Sequence, residues 1–393
     1  MGHRENRLSD LPPDFTLLQV IPRLETGGAE QTTLDIAAAV TAAGGRSLVA
    51  SMGGRMEGAL GPGQLLRIAV HAKNPLTIMA NAVRLARLIG RRKVSLIHVR
   101  SRAPAFSALW AARATGIPLV ATYHGVYNAQ SAAKRWYNSI MTRGRVVIAN
   151  SDYTRAHVIA QHHVDPAKVI AIPRGVDIAR FDPGAVSEPR RQALAEAWGL
   201  RASDPRVKVL LAGRLTRWKG QTLAIAAAAR LKAQGVEDFL LIFAGDSQGR
   251  ETYQAELETL IDAQDLKDQV RLVGHCADMA AAYALCDIAI APSLDPEAFG
   301  RTAVEPQAMG RPVIAADHGA ARETVLPGQT GWLAQPGDAD SWAEALGQAI
   351  AAGPERRAQM GRTAMERTRR LYSVEAMCAA TLRIYAAILQ DRR

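Results

Sequence analysis

Several things are scarce in this 393-residue sequence, and each scarcity excludes something. Three cysteines (Cys276, Cys286, Cys378) are too few for a disulfide framework, and their spacing fits no zinc site. They are expected to be reduced and buried. Aromatic residues make up only 5% of the chain, which argues against base-stacking platforms. No zinc-finger, RNP or helix-turn-helix signature accompanies the basic pI, so nucleic acid is not an expected partner. No stretch approaches the ~18 consecutive apolar residues of a spanning helix. The opening "MGHRENRLSDLPPDF" has no signal-peptide core, so the expected location is cytoplasmic. No G-x-G-x-x-G follows the first strand-like run, and G-x-S-x-G is missing altogether.

Acid is missing too, but only locally. Residues 58–151 contain no Asp or Glu and carry fourteen Lys or Arg. Residues 1–183 hold 23 basic and 11 acidic residues, a net of +12, against 25 and 26 in the remainder. Such segregation points to an anionic partner, whether phosphorylated substrate, membrane surface or nucleic acid, or else to a solvated basic face.

What is present is an alternation of strand-like and helical runs. "FTLLQVIP", "RSLVAS", "VSLIHV", "IPLVATYH" and "RVVIANS" form one series; "VKVLLAG", "DFLLIFAGD", "QVRLVGH", "DIAIAPS" and "RPVIAAD" form a second. Strands alternating with helices imply parallel sheets covered on both faces. The reading is α/β, with two doubly wound, Rossmann-like domains facing a central cleft. The first spans 1–183, a Pro/Glu/Arg-rich linker spans 184–204, and the second spans 205–372. Ligands of such sheets bind at the carboxyl ends of the strands.

The motifs fall at those ends. Gly27-Gly28 precedes a helix, which suits either phosphate or a tight turn. Arg214 and Lys219, beside Gly213 and Gly220, suit a diphosphate or are simply exposed loop cations. His124 stands alone at another strand end without a nucleophile motif. Asp338 and Asp340 read as a helix cap rather than a metal site, and no metal cluster is evident. In "EAFGRTAVE", Glu297 and Glu305 are eight residues apart, about 80° away from a shared helix face. With Glu297 in a loop and Glu305 in the following helix, the pair would grip two parts of one extended ligand. A glycosidase would instead hold its two carboxylates ~5 Å apart, leaving the glycine loops and cations without a purpose.

Six segments in order, "TGGAE", "GIPLVATYHG", "VIAIPRGVDIARF", "LLAGRLTRWKG", "EAFGRTAVEPQAMGRPVIA" and "GQTGWLAQPGD", make the chain resemble the retaining glycosyltransferases of family 4 (GT4), which have the GT-B fold. The resemblance implies that Glu305 binds the nucleotide ribose and Glu297 the donor sugar, in the family's EX7E pattern. It implies that Phe299 and Gly300 offer amides near the sugar, with Arg301 and Thr302 beside them. Arg214, Lys219, Gly27, Gly28 and Gly213 would serve the diphosphate, and Gly274 and His275 the donor end. His124 would lie on the acceptor side. The implied donor is a UDP- or GDP-sugar and the implied acceptor an envelope glycan or glycolipid, with no cofactor and no metal. The C-terminal segment 373–393 would pack back on the first domain. No lysine-centred pyridoxal phosphate motif of the related phosphorylases is apparent.

Departures from the family pattern are local: Pro306 after Glu305 should weaken or kink the helix, Arg174 replaces a frequent Asn, and "HGAARE" lacks a second glycine. In the acid-free stretch, Ile78, Val83, Leu85, Leu88 and Ile89 are expected to pack on the domain's own sheet. Arg84, Arg87, Arg91 and Arg92, with Lys134, Arg135 and Trp136, are expected to meet an anionic membrane or the acceptor, giving a peripheral location.

Overall fold

The computed structural model describes residues 11–201 and 204–391; the N-terminal stretch read for a signal lies largely outside them. Two compact units are built on separate parallel sheets, one comprising residues 1–175 with 374–393 and the other 176–373.

In the first unit the strands are β1 (Thr16–Val20), β2 (Arg46–Ser51), β3 (Leu65–Arg67), β4 (Leu96–Val99), β5 (Leu119–Tyr123), β6 (Val146–Ala149) and β7 (Val169–Ala171), in the order β3-β2-β1-β4-β5-β6-β7. Both faces are covered by helices, which is why β1, β4 and β5 are buried at every position. The helix Val374–Gln390 belongs to this unit. Its Met377, Leu382, Tyr385 and Ile388 share a core with Phe15, Leu17 and Ile36. Each such side chain, fully buried, stabilises by roughly 1.5–3 kcal/mol. The Tyr385 hydroxyl also lies 2.5 Å from His98 Nδ1, so the helix is fixed by a polar contact as well.

The second unit carries β8 (Val207–Ala212), β9 (Phe239–Ala244), β10 (Val270–Gly274), β11 (Ile288–Ala291), β12 (Val313–Ala316) and β13 (Gly331–Ala334), ordered β10-β9-β8-β11-β12-β13. Trp342, Leu346 and Ala349 of the helix Ala339–Ala351 close one face. Asp338 caps that helix, its Oδ1 accepting from the amides of Asp340 and Ser341, while Asp340 pairs with Arg230.

The stretch read as a linker is a correction. The chain passes between units at Gly175–Val176 and again at Ser373–Val374, and residues 184–201 and 204 lie within the second unit. They form the helix Glu188–Ala197, which Pro189 helps to start, since a missing amide costs nothing in a first turn. Arg190 grips Asp278 at 2.5 and 2.6 Å, and Trp198 and Leu200 are buried in the core. Two apolar anchors outweigh a polar composition.

Candidate functional site

After β11 the chain turns through a loop, Pro292–Gly300, before the helix Arg301–Ala308. Gly300 sits at φ 77° as the residue before that helix, a left-handed conformation that favours glycine. Glu297 is thereby in the loop and Glu305 in the helix.

Each carboxylate is held mainly through one oxygen. Glu297 Oε1 accepts from Lys219 Nζ at 2.6 Å and from Ser293 Oγ at 2.5 Å. Its Oε2 has no protein donor among the described residues. Lys219 is only 12% exposed, its ammonium 4.4 Å from the Trp218 ring centroid, and its stem lies 3.6 Å from where a Gly213 Cβ would stand. Glu305 is 8% exposed; Arg301 donates to its Oε1 through Nε (2.9 Å) and Nη2 (2.6 Å). Tyr283 reaches its Oε2 at 3.4 Å. Burial first, and the Glu305 charge next, push the Tyr283 phenol well above its usual value, so it stays a donor.

The Glu297 loop is pinned from behind. His318 Nε2 lies 2.9 Å from the Ser293 carbonyl, which requires the proton on Nε2. Its Nδ1 is buried without a partner among the described residues. The amide of Ala320 donates to the Glu297 carbonyl at 3.0 Å, and a Cβ on Gly319 would fall 2.6 Å from that same oxygen. A small cavity of about 20 Å³ lies among Ser293, Glu297, Phe299, Gly300 and His318. Pro306 stands inside the short helix, which ends two residues later at Ala308.

The remaining second-unit positions differ in character. Arg214 is exposed and forms no ion pair among the described residues, so the two cations read together from sequence are separated in role: Lys219 is bound to Glu297, Arg214 is not. Gly213 (φ 153°) and Gly274 (φ 72°) follow β8 and end β10, joined through Gly245: its amide donates to the Gly274 carbonyl, and a Cβ on it would strike the Gly213 carbonyl. His275 is exposed, Thr302 partly buried, and Phe299 buried edge-on against Tyr372.

In the first unit, Gly27 caps and Gly28 begins the helix Gly28–Ala42. The Arg174 guanidinium rests directly on Gly28, where a Cβ would come within 1.9 Å of Nη1. Arg174 Nη2 donates to the His124 carbonyl at 3.1 Å and lies 3.3 Å from its Nδ1. Burial, and then Arg174 and Arg100, hold the His124 imidazole well below its usual pKa, hence neutral. The basic positions Arg84, Arg87, Arg91 and Arg92 are exposed along the helix Pro75–Arg92. Leu85 and Ile89 are buried there as expected, but Val83 is 45% exposed, in line with Leu76 (78%) and Met79 (55%). That i, i+3, i+7 spacing puts three apolar side chains on one outward stripe. Lys134, Arg135 and Trp136 are exposed on Ala132–Ser139, whose Tyr137 stacks on Phe106.

Comparison with known proteins matches two family patterns to the two halves: Glycosyltransferase Family 4 over residues 26–180 and Glycosyl transferases group 1 over residues 195–367. A D-inositol 3-phosphate glycosyltransferase of Kineococcus radiotolerans is 32% identical over 302 residues, covering 70% of this chain and 67% of that one. The chain belongs to the family 4 glycosyltransferases. Its fold is similar to the crystal structure of a glycosyltransferase from Rickettsia africae ESF-5 (TM-score 0.88, 30% identity, 96% and 99% of the two chains). It is also similar to Anabaena Alr3699/HepE in complex with UDP and glucose (TM-score 0.78, 23% identity, 95% and 100%). For this glycosyltransferase, sequence reasoning missed Ser293, Tyr283 and His318. Ser293 had a faint signal, four residues before Glu297 at the end of a strand. Tyr283, in the Ala-rich run "MAAAYAL", had none.

Proposed function

We propose that this glycosyltransferase moves a sugar, with retention, from a nucleotide-diphosphate donor to a hydroxyl of an envelope glycan or glycolipid. The observation that carries the reading is the pair of separately anchored carboxylates. Glu297, fixed through Oε1 by Lys219 and Ser293, offers its other oxygen to sugar hydroxyls. Glu305, fixed by Arg301 and Tyr283, accepts from the ribose. A hydrolase would want one of its two acids protonated as proton donor. Here both carboxylates accept from cations, Glu297 from Lys219 and Glu305 from Arg301.

As the bond from sugar to phosphate breaks, negative charge grows on the leaving diphosphate. Arg214 and Lys219 stabilise it as donors, without a metal, while the amides at Phe299-Gly300 serve the sugar. The acceptor hydroxyl attacks from the face the diphosphate leaves, and the phosphate oxygen takes its proton. UDP is the favoured nucleotide, since a fold neighbour is described with UDP and with UDP-glucose; GDP is the alternative. The curated relatives' name favours a second acceptor class, a small soluble polyol phosphate.

No helix among the described residues is long and apolar enough to cross a membrane. The outward stripe Leu76, Met79 and Val83 among Arg84, Arg87 and Arg91, with Lys134, Arg135 and Trp136, supports reversible docking on an anionic cytoplasmic membrane face. Each basic residue there contributes about 1 kcal/mol. Thermal melts with a panel of UDP- and GDP-sugars test the reading, because a ligand at 100 Kd stabilises by about 2.7 kcal/mol. A nucleotide-sugar that raises the melting point and is consumed with an acceptor is the expected result. No response to any nucleotide diphosphate would overturn it. Flotation with anionic but not neutral vesicles is the expected membrane result.

A further inference from the structure

Glu305 is held from two sides, and one of the two holds depends on a residue that does not touch it. Arg301 takes Oε1, while the Tyr283 hydroxyl is the donor to Oε2 among the described residues, at 3.4 Å. Hydrogen bonds between two oxygens ordinarily span about 2.5–3.0 Å, and a contact at about 3.6 Å no longer counts as one. A few tenths of an ångström therefore decide whether Tyr283 engages Glu305. The Tyr283 side chain is fully buried. In a close-packed interior its ring follows the backbone that carries it, the helix Met279–Leu285.

That helix is seven residues long, and the last carbonyls of a helix find no partner within it. The Arg311 guanidinium takes two of them. Its Nε donates to the Tyr283 carbonyl at 3.0 Å and its Nη2 to the Ala284 carbonyl at 2.9 Å. The main chain of Arg311 is tied to the other helix: its amide donates at 2.9 Å to the carbonyl of Pro306, the residue after Glu305. Just before it, Gly310 turns the chain at φ 67° and packs so tightly that a Cβ on Gly361 would fall 1.9 Å from its carbonyl oxygen. One residue with a fixed base thus bridges the helix that carries Glu305 and the helix that carries Tyr283. A planar fork satisfies two adjacent carbonyls together, which the point charge of a lysine does less well.

We propose that Arg311 is a positioning residue for donor binding: it clamps the two helices so that the Tyr283 hydroxyl stays on Glu305 Oε2 and keeps that carboxylate aimed at the ribose. The clamp stands on the geometry; its effect on the nucleotide rests on the proposed role of Glu305. The test is calorimetry on the full chain with UDP and GDP, each beside its 2′-deoxy form. The proteins compared are wild type, R311M, R311K, Y283F and the double variant R311M/Y283F. Wild type should prefer the ribose form of the nucleotide it binds by about tenfold. R311M and Y283F should each narrow that preference by about threefold or more, and R311K should lie between R311M and wild type. The double variant should lose no more than the worse single one, because both changes remove the same contact. KM for the sugar nucleotide should change more than kcat. Should R311M not fold, R311K and its double with Y283F decide. An unchanged ribose preference in R311M, or losses that multiply in the double variant, would overturn the proposal. Equal binding of ribose and 2′-deoxy forms by wild type, or binding of neither nucleotide, would instead remove the role of Glu305 and the nucleotide effect with it. The clamp is then read from the fluorine resonances of the fluorotyrosine-labelled chain. The Tyr283 signal, identified by its loss in Y283F, should move in R311M, and an unmoved signal would overturn the clamp itself.

Discussion

Gly319→Ala is the sharpest probe of how Glu297 is held. Gly319 has φ 59°, so any L-residue there carries a left-handed penalty of roughly 1–2 kcal/mol. The new Cβ would also stand 2.6 Å from the Glu297 carbonyl and 2.9 Å from its amide nitrogen, both backbone atoms that no rotamer change can move away. Restoring contact at ~3.5 Å needs a retreat of about 0.5–1 Å, and misplacement by 1 Å costs on the order of 100-fold. The expected loss in kcat/KM for the sugar nucleotide is therefore about 10- to 100-fold, with free nucleotide diphosphate binding unchanged. Gly328→Ala supplies the control: φ is 73°, but nothing lies within 4 Å of its Cβ position. It should lose stability of similar backbone origin, near 2–4 °C per kcal/mol, and keep its activity. The assays are thermal melts, steady-state kinetics and calorimetry with the nucleotide alone. Equal activity in the two variants would refute the idea that this turn sets the Glu297 loop.

Glu305→Ala should weaken free nucleotide diphosphate, whereas Glu297→Ala should spare it and impair sugar-dependent turnover; calorimetry finding equal losses would end the two-part assignment. Arg214→Ala or Lys219→Ala should reduce turnover more than ground-state binding, since leaving-group charge peaks in the transition state, and EDTA should have little effect on rates. His98 and His124 both have pKa values well below the ordinary 6.5, chiefly through burial. The unfolded chain then binds more protons below that pH, so stability of the first unit should fall as pH drops from 6.5 toward 5. The slope is up to roughly 1.4 kcal/mol per pH unit for each histidine, and urea midpoints for wild type and H98Q should show a shallower fall in the variant.

The ten strands legible in the sequence carry apolar runs such as "TLLQV" and "FLLIFA", buried on both faces where the strand has two neighbours; β10, legible as "QVRLVGH", is an edge strand that is mostly only partly buried. The three that were not, β3, β7 and β13, are edge strands of three or four residues. A strand paired on one side needs no continuous apolar run, and short edges limit unwanted pairing, so their signal merges with the turns around them. The chain's passage at Gly175–Val176 was hidden for a related reason. Composition marks polar stretches, whereas unit membership depends on side chains such as Trp198 and Leu200, whose burial is decided by distant neighbours.

The site divides along the same line between local and distant information. That Glu297 belongs in a loop and Glu305 in a helix followed from local signals, two prolines and a glycine. What each carboxylate touches did not, because Lys219 is 78 positions away from Glu297 and Tyr283 is 22 from Glu305. The consequence reaches the chemistry. Read locally, Lys219 is a loop cation beside Arg214; in the fold its ammonium neutralises Glu297 and is nine-tenths withdrawn from water. Arg214, exposed and without an ion pair among the described residues, is then the cation of the two whose charge no carboxylate there engages. On the proposed reading, a diphosphate drawn to Arg214 and Lys219 together would share the lysine with Glu297, so the same ammonium would link the sugar-binding carboxylate to the leaving group. That coupling would give Lys219 a place in both binding and departure, a role that the spacing of the residues along the chain does not reveal.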